Sequence, residues 1–256
     1  MPILPAVSAI HALVIGATQG IGLEFVRQLL KDERVTHLFA TFRSTQTATE
    51  LFELKEQYSG RLHCVAMDVT DEITIETAVE AIKSVAPNLH FVVNCVGLLH
   101  SDQQQPEKAL RQLNSENLLN YFKINSVGPA LVAKHLMPLL KHTEQSVLAT
   151  ISAKIGSIGD NRLGGWYGYR ASKAALNMLL KTASIEYARR SPNTIIVMLH
   201  PGTTDTQLSK PFQRGVPPEK LFSTTRTVSQ LLDVLENVTP QDNGEFFSWD
   251  GSRLPW

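Results

Sequence analysis

Residues 10–31 read IHALVIGATQGIGLEFVRQLLK, and two changes of pattern inside this stretch decide the fold. Ile10 to Ile15 is a short apolar run of the kind that fills a buried strand. Gly16-Ala17-Thr18-Gln19-Gly20-Ile21-Gly22 then turns the chain. From Gly20 to Lys31, Ile21, Phe25 and Leu29 recur at four-residue steps, which places them on one face of a helix. Glycines at a strand-to-helix turn allow a tight reversal and a close backbone approach. The helix start adds free N–H groups and the positive end of a dipole, so the turn suits a pyrophosphate.

The alternation continues outward. Strands are predicted at His37–Thr41, Leu62–Met67, His90–Asn94, Ser146–Ile151, Ile195–Leu199 and Glu245–Trp249. Helical periods occupy Thr47–Tyr58, Asp71–Val85, Glu107–Lys141, Tyr169–Arg190 and Thr225–Leu235. This is the pattern of an α/β fold, a doubly wound parallel sheet flanked by helices. Pro129 inside the third helical region predicts a kink near Asn125–Gly128. No repeat or linker divides the chain, so residues 1–256 read as a single domain. The stretch 207–223, rich in Pro and Gly and without a period, reads as a lid over the substrate.

Composition sets the boundary conditions. Lys plus Arg and Asp plus Glu number 24 each, so no global field draws the protein to nucleic acid or to an anionic membrane. No apolar run approaches the ~18 residues of a membrane span. The first ten residues do not read as a secretory signal, which makes the cytoplasm the default compartment. Cys64 and Cys95 lie in apolar runs and are expected to be inert buried thiols without a disulfide. Eight histidines include no His-Glu-x-x-His pattern, and no metal site is expected. Neither the Gly-x-Ser-x-Gly elbow of hydrolases nor the GxxxxGK[ST] phosphate loop occurs.

Further motifs follow the glycine turn in order: Asp68-Val69, Asn94-Cys95-Val96-Gly97, Tyr169-Arg170-Ala171-Ser172-Lys173 and Pro201-Gly202. Over essentially its whole length the chain resembles the short-chain dehydrogenase/reductase family, with its TGxxxGxG, NNAG, YxxxK and PG signatures. Ile15 stands where the family has Thr. The resemblance implies a single-domain Rossmann-type fold and a nicotinamide dinucleotide. It assigns the turn residues Gly16, Thr18, Gln19, Gly20, Ile21 and Gly22 to the cofactor, with Asp68 and Val69 at the adenine and Asn94 and Gly97 after the fourth strand. Pro201 and Gly202 then meet the nicotinamide, Thr204 and Thr206 contact its carboxamide and the phosphates, and Lys173 binds the ribose. Asn125 corresponds to the residue that holds a relay water to the lysine. The run from Gly156 to Lys173 and the C-terminal Trp249-Asp250-Gly251 to Pro255-Trp256 are similar to Sniffer-type carbonyl reductases and C-factor-like proteins.

The chemistry of the Tyr-Lys pair is legible from its spacing. Residues four apart share a helix face, so the Lys173 ammonium is expected beside the Tyr169 hydroxyl, lowering its pKa from about 10. Tyr169 would then give its proton to a carbonyl oxygen as hydride arrives at carbon. The serine is less regular. The family has two serines, the second followed by two residues and Gly; here the string is Ile151-Ser152-Ala153-Lys154-Ile155-Gly156-Ser157. Ser152 re-aimed by a bulge, Ser157, or no hydroxyl at all are the alternatives, and Ser152 is the expectation.

At the end of the second strand Arg43, with no acidic residue beside it, offers a fork for a 2′-phosphate, so NADPH is expected over NADH. The loop Gly164–Gly168 either lines the substrate pocket or simply packs Trp166. A small carbonyl or alcohol substrate and a homodimer or homotetramer complete the reading. Its alternative is a dinucleotide-binding signalling or regulatory protein with incidental turnover.

Overall fold

The computed structural model describes residue 4 and residues 6–256. The strands are β1 (Ile10–Ile15), β2 (Val35–Phe42), β3 (Leu62–Ala66), β4 (Phe91–Asn94), β5 (Ser146–Ile151), β6 (Thr194–His200), a small pair β7 (Thr203–Thr204) and β8 (Leu221–Phe222), and β9 (Glu245–Ser248). The helices are α1 (Gly20–Leu29), α2 (Thr49–Gln57), α3 (Glu72–Val85), α4 (Ser115–Phe122), α5 (Gly128–Leu140), α6 (Tyr167–Arg190) and α7 (Thr224–Glu236). Seven strands make one parallel sheet in the order β3-β2-β1-β4-β5-β6-β9. The order reverses at β1, which pairs with both β2 and β4. At such a switch point the chain leaves a crevice beyond the strand ends, and the glycine turn and Asn94 flank it.

Alternation along β1 sends Ala12 and Val14 to one side, where they pack with Phe25 of α1 and Leu231 of α7, and Leu13 and Ile15 to the other, toward α3, α5 and α6. The strands are therefore apolar on both faces, as a sheet covered on both sides requires.

The predicted helical region 107–141 is corrected in one place and refined in another. Helix begins only at Ser115, where the Asn114 side chain accepts the Asn117 N–H at 3.0 Å; residues Leu110–Gln112 form an isolated 3-10 turn. At the anticipated kink, Lys123–Val127 winds as a π turn, with the Gly128 N–H bonded to the Lys123 carbonyl. The stretch 207–223 holds two 3-10 turns, Lys210–Phe212 and Pro218–Lys220, and strand β8. The expectation about a leader bears on residues 1–3 and 5, which lie outside the described residues.

Five histidines cross one face of the sheet as a row. Rings follow one another from His63 to His37, His11, His90 and His142, with centroids 5.2, 5.3, 5.2 and 4.9 Å apart. The backbone fixes their protons. His11 Nδ1 lies 2.9 Å from the Asn88 carbonyl, and the His11 N–H donates to His90 Nδ1 at 3.1 Å, which leaves the His90 proton on Nε2, 3.1 Å from Glu144. His90, His142 and Glu144 converge within 4.8 Å, a grouping that sequence spacing did not reveal. An ion at His90 Nε2 would displace that proton toward an N–H that already points at the ring. Both cysteines are free, and both are half-buried rather than fully buried as expected; burial pushes each thiol up.

Candidate active site

The turn after β1 has the backbone that its glycines allow. Gly16 and Gly20 take φ of +78° and +55°, and a Cβ on Gly22 would stand 2.1 Å from the Gly16 carbonyl oxygen. Gln19, the N-cap of α1, makes no side-chain cap, and the first turn carries no acidic residue, so the helix start is open to an anion. Thr206, from the segment after β6, closes on the turn: its methyl lies 3.2 Å from a Cβ placed on Gly20. Thr18 and Ile21 are half-buried in the turn and Gln19 is exposed. Around the crevice, Arg43 is exposed directly after β2, Asp68 Oδ1 accepts the Thr70 N–H at 2.9 Å, and Val69 is buried. Asn94 Oδ1 accepts the Val96 N–H, while its Nδ2 is a buried donor without a partner. An unspent donor and a glycine cradle at the switch point are what a dinucleotide would use, so the residues fit the cofactor.

Across the crevice, α6 presents Tyr169 and Lys173 on one face, the Lys173 Nζ 5.9 Å from the centre of the Tyr169 ring. Nζ donates to the Ile151 carbonyl at the end of β5, 3.0 Å away. Gly97 is the third wall: a Cβ there would lie 3.6 Å from Nζ and 3.7 Å from Asn125 Oδ1. Asn125, fully buried in the π turn, accepts the Leu98 N–H at 2.7 Å and donates to the Leu98 carbonyl and to Ser172 Oγ. Its side chain therefore ties the β4 loop to α6, beside the lysine rather than bonded to it.

The expected electrostatics are corrected here. Burial, followed by the neighbouring Tyr121, holds the Tyr169 hydroxyl above its ordinary range, and burial lowers the Lys173 ammonium to about 8. Desolvation outweighs the pair's mutual help, because both groups sit 7% exposed or less. Tyr169 is thus a protonated phenol, the form that donates.

Ser152 is the second correction. β5 pairs β6 in unbroken register from Ser146 to Ile151, with no bulge to re-aim the next residue. Ser152, 2% exposed, donates its hydroxyl to Asn177 Oδ1 of α6 at 2.6 Å. Ser157 is equally buried, and its Oγ accepts the Asp160 N–H. Ala153 packs with the Tyr169 cluster instead. Among the described residues, no serine hydroxyl of this segment is thereby brought to Tyr169. Thr204 is likewise turned inward, its hydroxyl 2.8 Å from that of Thr227 on α7. Pro201 and Gly202 follow β6, where Gly202 has φ +74° and a Cβ would meet the Phe222 ring at 2.6 Å.

The model of the family described as short chain dehydrogenase matches residues 10–216. The chain belongs to that family. This dehydrogenase-family chain is 30% identical over 257 residues to an uncharacterized oxidoreductase of Schizosaccharomyces pombe, covering 95% of this chain and 96% of the relative. The NADPH-bound carbonyl reductase from chicken fatty liver superposes with a TM-score of 0.87 at 28% identity, covering 97% of this chain and 99% of that one. The carbonyl reductase Sniffer of D. melanogaster gives a TM-score of 0.85 at 26% identity, with coverages of 97% and 100%.

Sequence reasoning missed the support behind the tyrosine. Trp166 and Phe212 wall the small apolar cluster around Tyr169, their centroids 4.8 Å apart. His100 reaches the same place: its ring lies 5.6 Å from Phe212, and Nε2 lies 3.2 Å from the Gln207 carbonyl. Glu107, 3% exposed, accepts the Gly168 N–H at the start of α6. No local pattern marks Glu107, because its partners are some sixty residues downstream.

Proposed function

We propose that this protein is an NADPH-dependent reductase of carbonyl compounds, acting in the cytoplasm, with Tyr169 as the general acid. The observation that carries the reading is the buried, protonated Tyr169 beside Lys173, opposite a glycine turn built for a dinucleotide. When bound, NADPH supplies hydride to the carbonyl carbon. The turn from Gly16 to Gly22, with Thr206 closing on it, holds the diphosphate, and the exposed Arg43 holds the 2′-phosphate. Asp68, Val69, Asn94 and Gly97 line the rest of the cleft, with Pro201 and Gly202 toward the nicotinamide. Lys173 orients the ribose and keeps a positive charge beside the phenol, so that Tyr169 releases its proton to the substrate oxygen as charge develops there. Asn125 holds the floor on which the lysine rests. The apolar walls at Leu99, Ala153, Trp166 and Phe212 favour an apolar carbonyl substrate, and 207–223 acts as the lid.

The test is NADPH oxidation with a panel of reactive carbonyls, comparing wild type with Tyr169→Phe. Reduction of at least one carbonyl and its loss in the Phe variant support the reading. Tight NADPH binding with no carbonyl reduced would support the second reading, a dinucleotide-binding signalling protein. The commitment of the Ser152 hydroxyl to Asn177 favours that second reading. Self-association is part of the first proposal: Leu119 on α4 and Met178, Leu179 and Ile185 on α6 are exposed apolar side chains, a dimer or tetramer would cover them, and light scattering distinguishes these states from a monomer.

A further inference from the structure

Trp166 is one of two non-glycine residues with positive φ among the described residues, the other being Leu4, and it closes a left-handed run. Gly164, Gly165 and Trp166 have φ of 64°, 66° and 53°. A bulky residue avoids this region unless its surroundings impose it. The surroundings do so from both sides. Glu107 takes the donors: its carbonyl accepts the Trp166 N–H, and its carboxylate Oε2 accepts the Gly168 N–H at 3.1 Å. Arg170 takes the acceptors, donating to the carbonyls of Gly165 at 2.9 Å, Gly164 at 3.1 Å and Ile155 at 3.3 Å.

The clamp is expensive. Glu107 is 3% exposed, and its Oε1 is buried without a partner. Packing alone would be served better by an apolar side chain. What the clamp secures is the indole. Trp166 stands edge-on to Tyr169 at 6.3 Å and to Phe212 at 4.8 Å, so the same turn fixes both the wall of the pocket and its contact with the lid.

We propose that Glu107 and Arg170 are positioning residues that hold the left-handed turn, and that Trp166, fixed by them, determines which carbonyl substrates fit beside Tyr169. The second half rests on the reductase reading; the first does not.

The experiment uses the full chain with Trp249→Phe and Trp256→Phe, which leaves Trp166 as the sole tryptophan. Acrylamide quenching of cofactor-free protein is expected to rise at least twofold with Glu107→Ala and with Arg170→Lys. The Lys keeps the charge but loses the fork over three carbonyls. Glu107→Gln, which keeps an acceptor for the Gly168 N–H, is expected to stay near the parent. Arg170→Lys carries the test if Glu107→Ala does not fold. In the activity arm, Glu107→Ala should lower kcat/KM for acetophenone at least fivefold more than for 2-butanone. Unchanged quenching in both variants overturns the positioning role. Equal losses for the two ketones, tracking a fall in Tm, overturn the specificity role. Quenching that rises in a protein reducing neither ketone leaves the clamp standing and removes the reductase reading.

Discussion

Replacing Lys173 by Met should make the protein more stable and inactive in one step. Burial holds the Lys173 ammonium at about 8 instead of 10.5. Wherever the lysine is charged in both states, that difference destabilises the fold by about 3 kcal/mol. Met removes this cost but also the hydrogen bond from Nζ to the Ile151 carbonyl, a loss of about 1–2 kcal/mol. The net gain is about 1–2 kcal/mol, and at about 2–4 °C per kcal/mol for a domain of this size Tm should rise by several degrees. The pH dependence follows from counting protons. Between about 8 and 10.5 the unfolded chain keeps a proton that the folded protein has lost, so wild-type stability climbs with pH through this window. The Met variant has no such climb, and its advantage shrinks. Thermal unfolding of cofactor-free protein near pH 7 and near pH 10, beside an NADPH oxidation assay, makes the comparison. A Met variant less stable than wild type near pH 7, or an advantage that does not change with pH, would refute the claim that burial dominates at this lysine.

Acid should weaken the fold through its histidines. His37, His63 and His90 are all held below their usual range, first by burial. Neighbouring His11, His37, His142 and Lys55 push the same way, and Glu144 opposes them at His90. Burial, then Lys154, lowers His200 to about 4 against 6.5, so the unfolded chain is protonated first as pH falls below 6.5. His200 alone should lose about 2 kcal/mol of stability by pH ~5, and urea midpoints of wild type and His200→Phe measure the slope. Gly22→Ala should abolish dinucleotide binding in calorimetry, because its Cβ would fall 2.1 Å from the Gly16 oxygen. Arg43→Ala should weaken NADPH about tenfold, a loss of about 1.4 kcal/mol, and leave NADH unchanged; equal effects on both would remove Arg43 from the 2′-phosphate.

Much of the fold was legible because its signals are local. β1 and β5 fall where their apolar runs place them, and Pro129 announces the irregular winding at Asn125. The glycine turn, Tyr169 and Lys173 are legible for the same reason: one strand-to-helix turn and one helix face bring them together. Ser152 was misjudged because the direction of its hydroxyl depends on α6, where Asn177 receives it. The carboxylate of Glu107 and the fork of Arg170 were invisible because their function is to satisfy backbone groups of a distant or irregular turn. Such groups leave no period in the sequence. The row of histidines lies between: alternation puts each on its face, but only strand order aligns them.

The π turn at Lys123–Val127 has a consequence for how this chain can change length. It accommodates one residue more than an α-helix would use to cover the same rise. Deleting a single codon there would restore ordinary winding and rotate everything beyond it by about 100°. Val132 and Leu136 would swing away from the sheet just as Asn125 left Leu98. A point substitution in this segment can be repaired by its neighbours, whereas a one-residue deletion takes the core and the catalytic floor together, so indels should be purged here more severely than replacements.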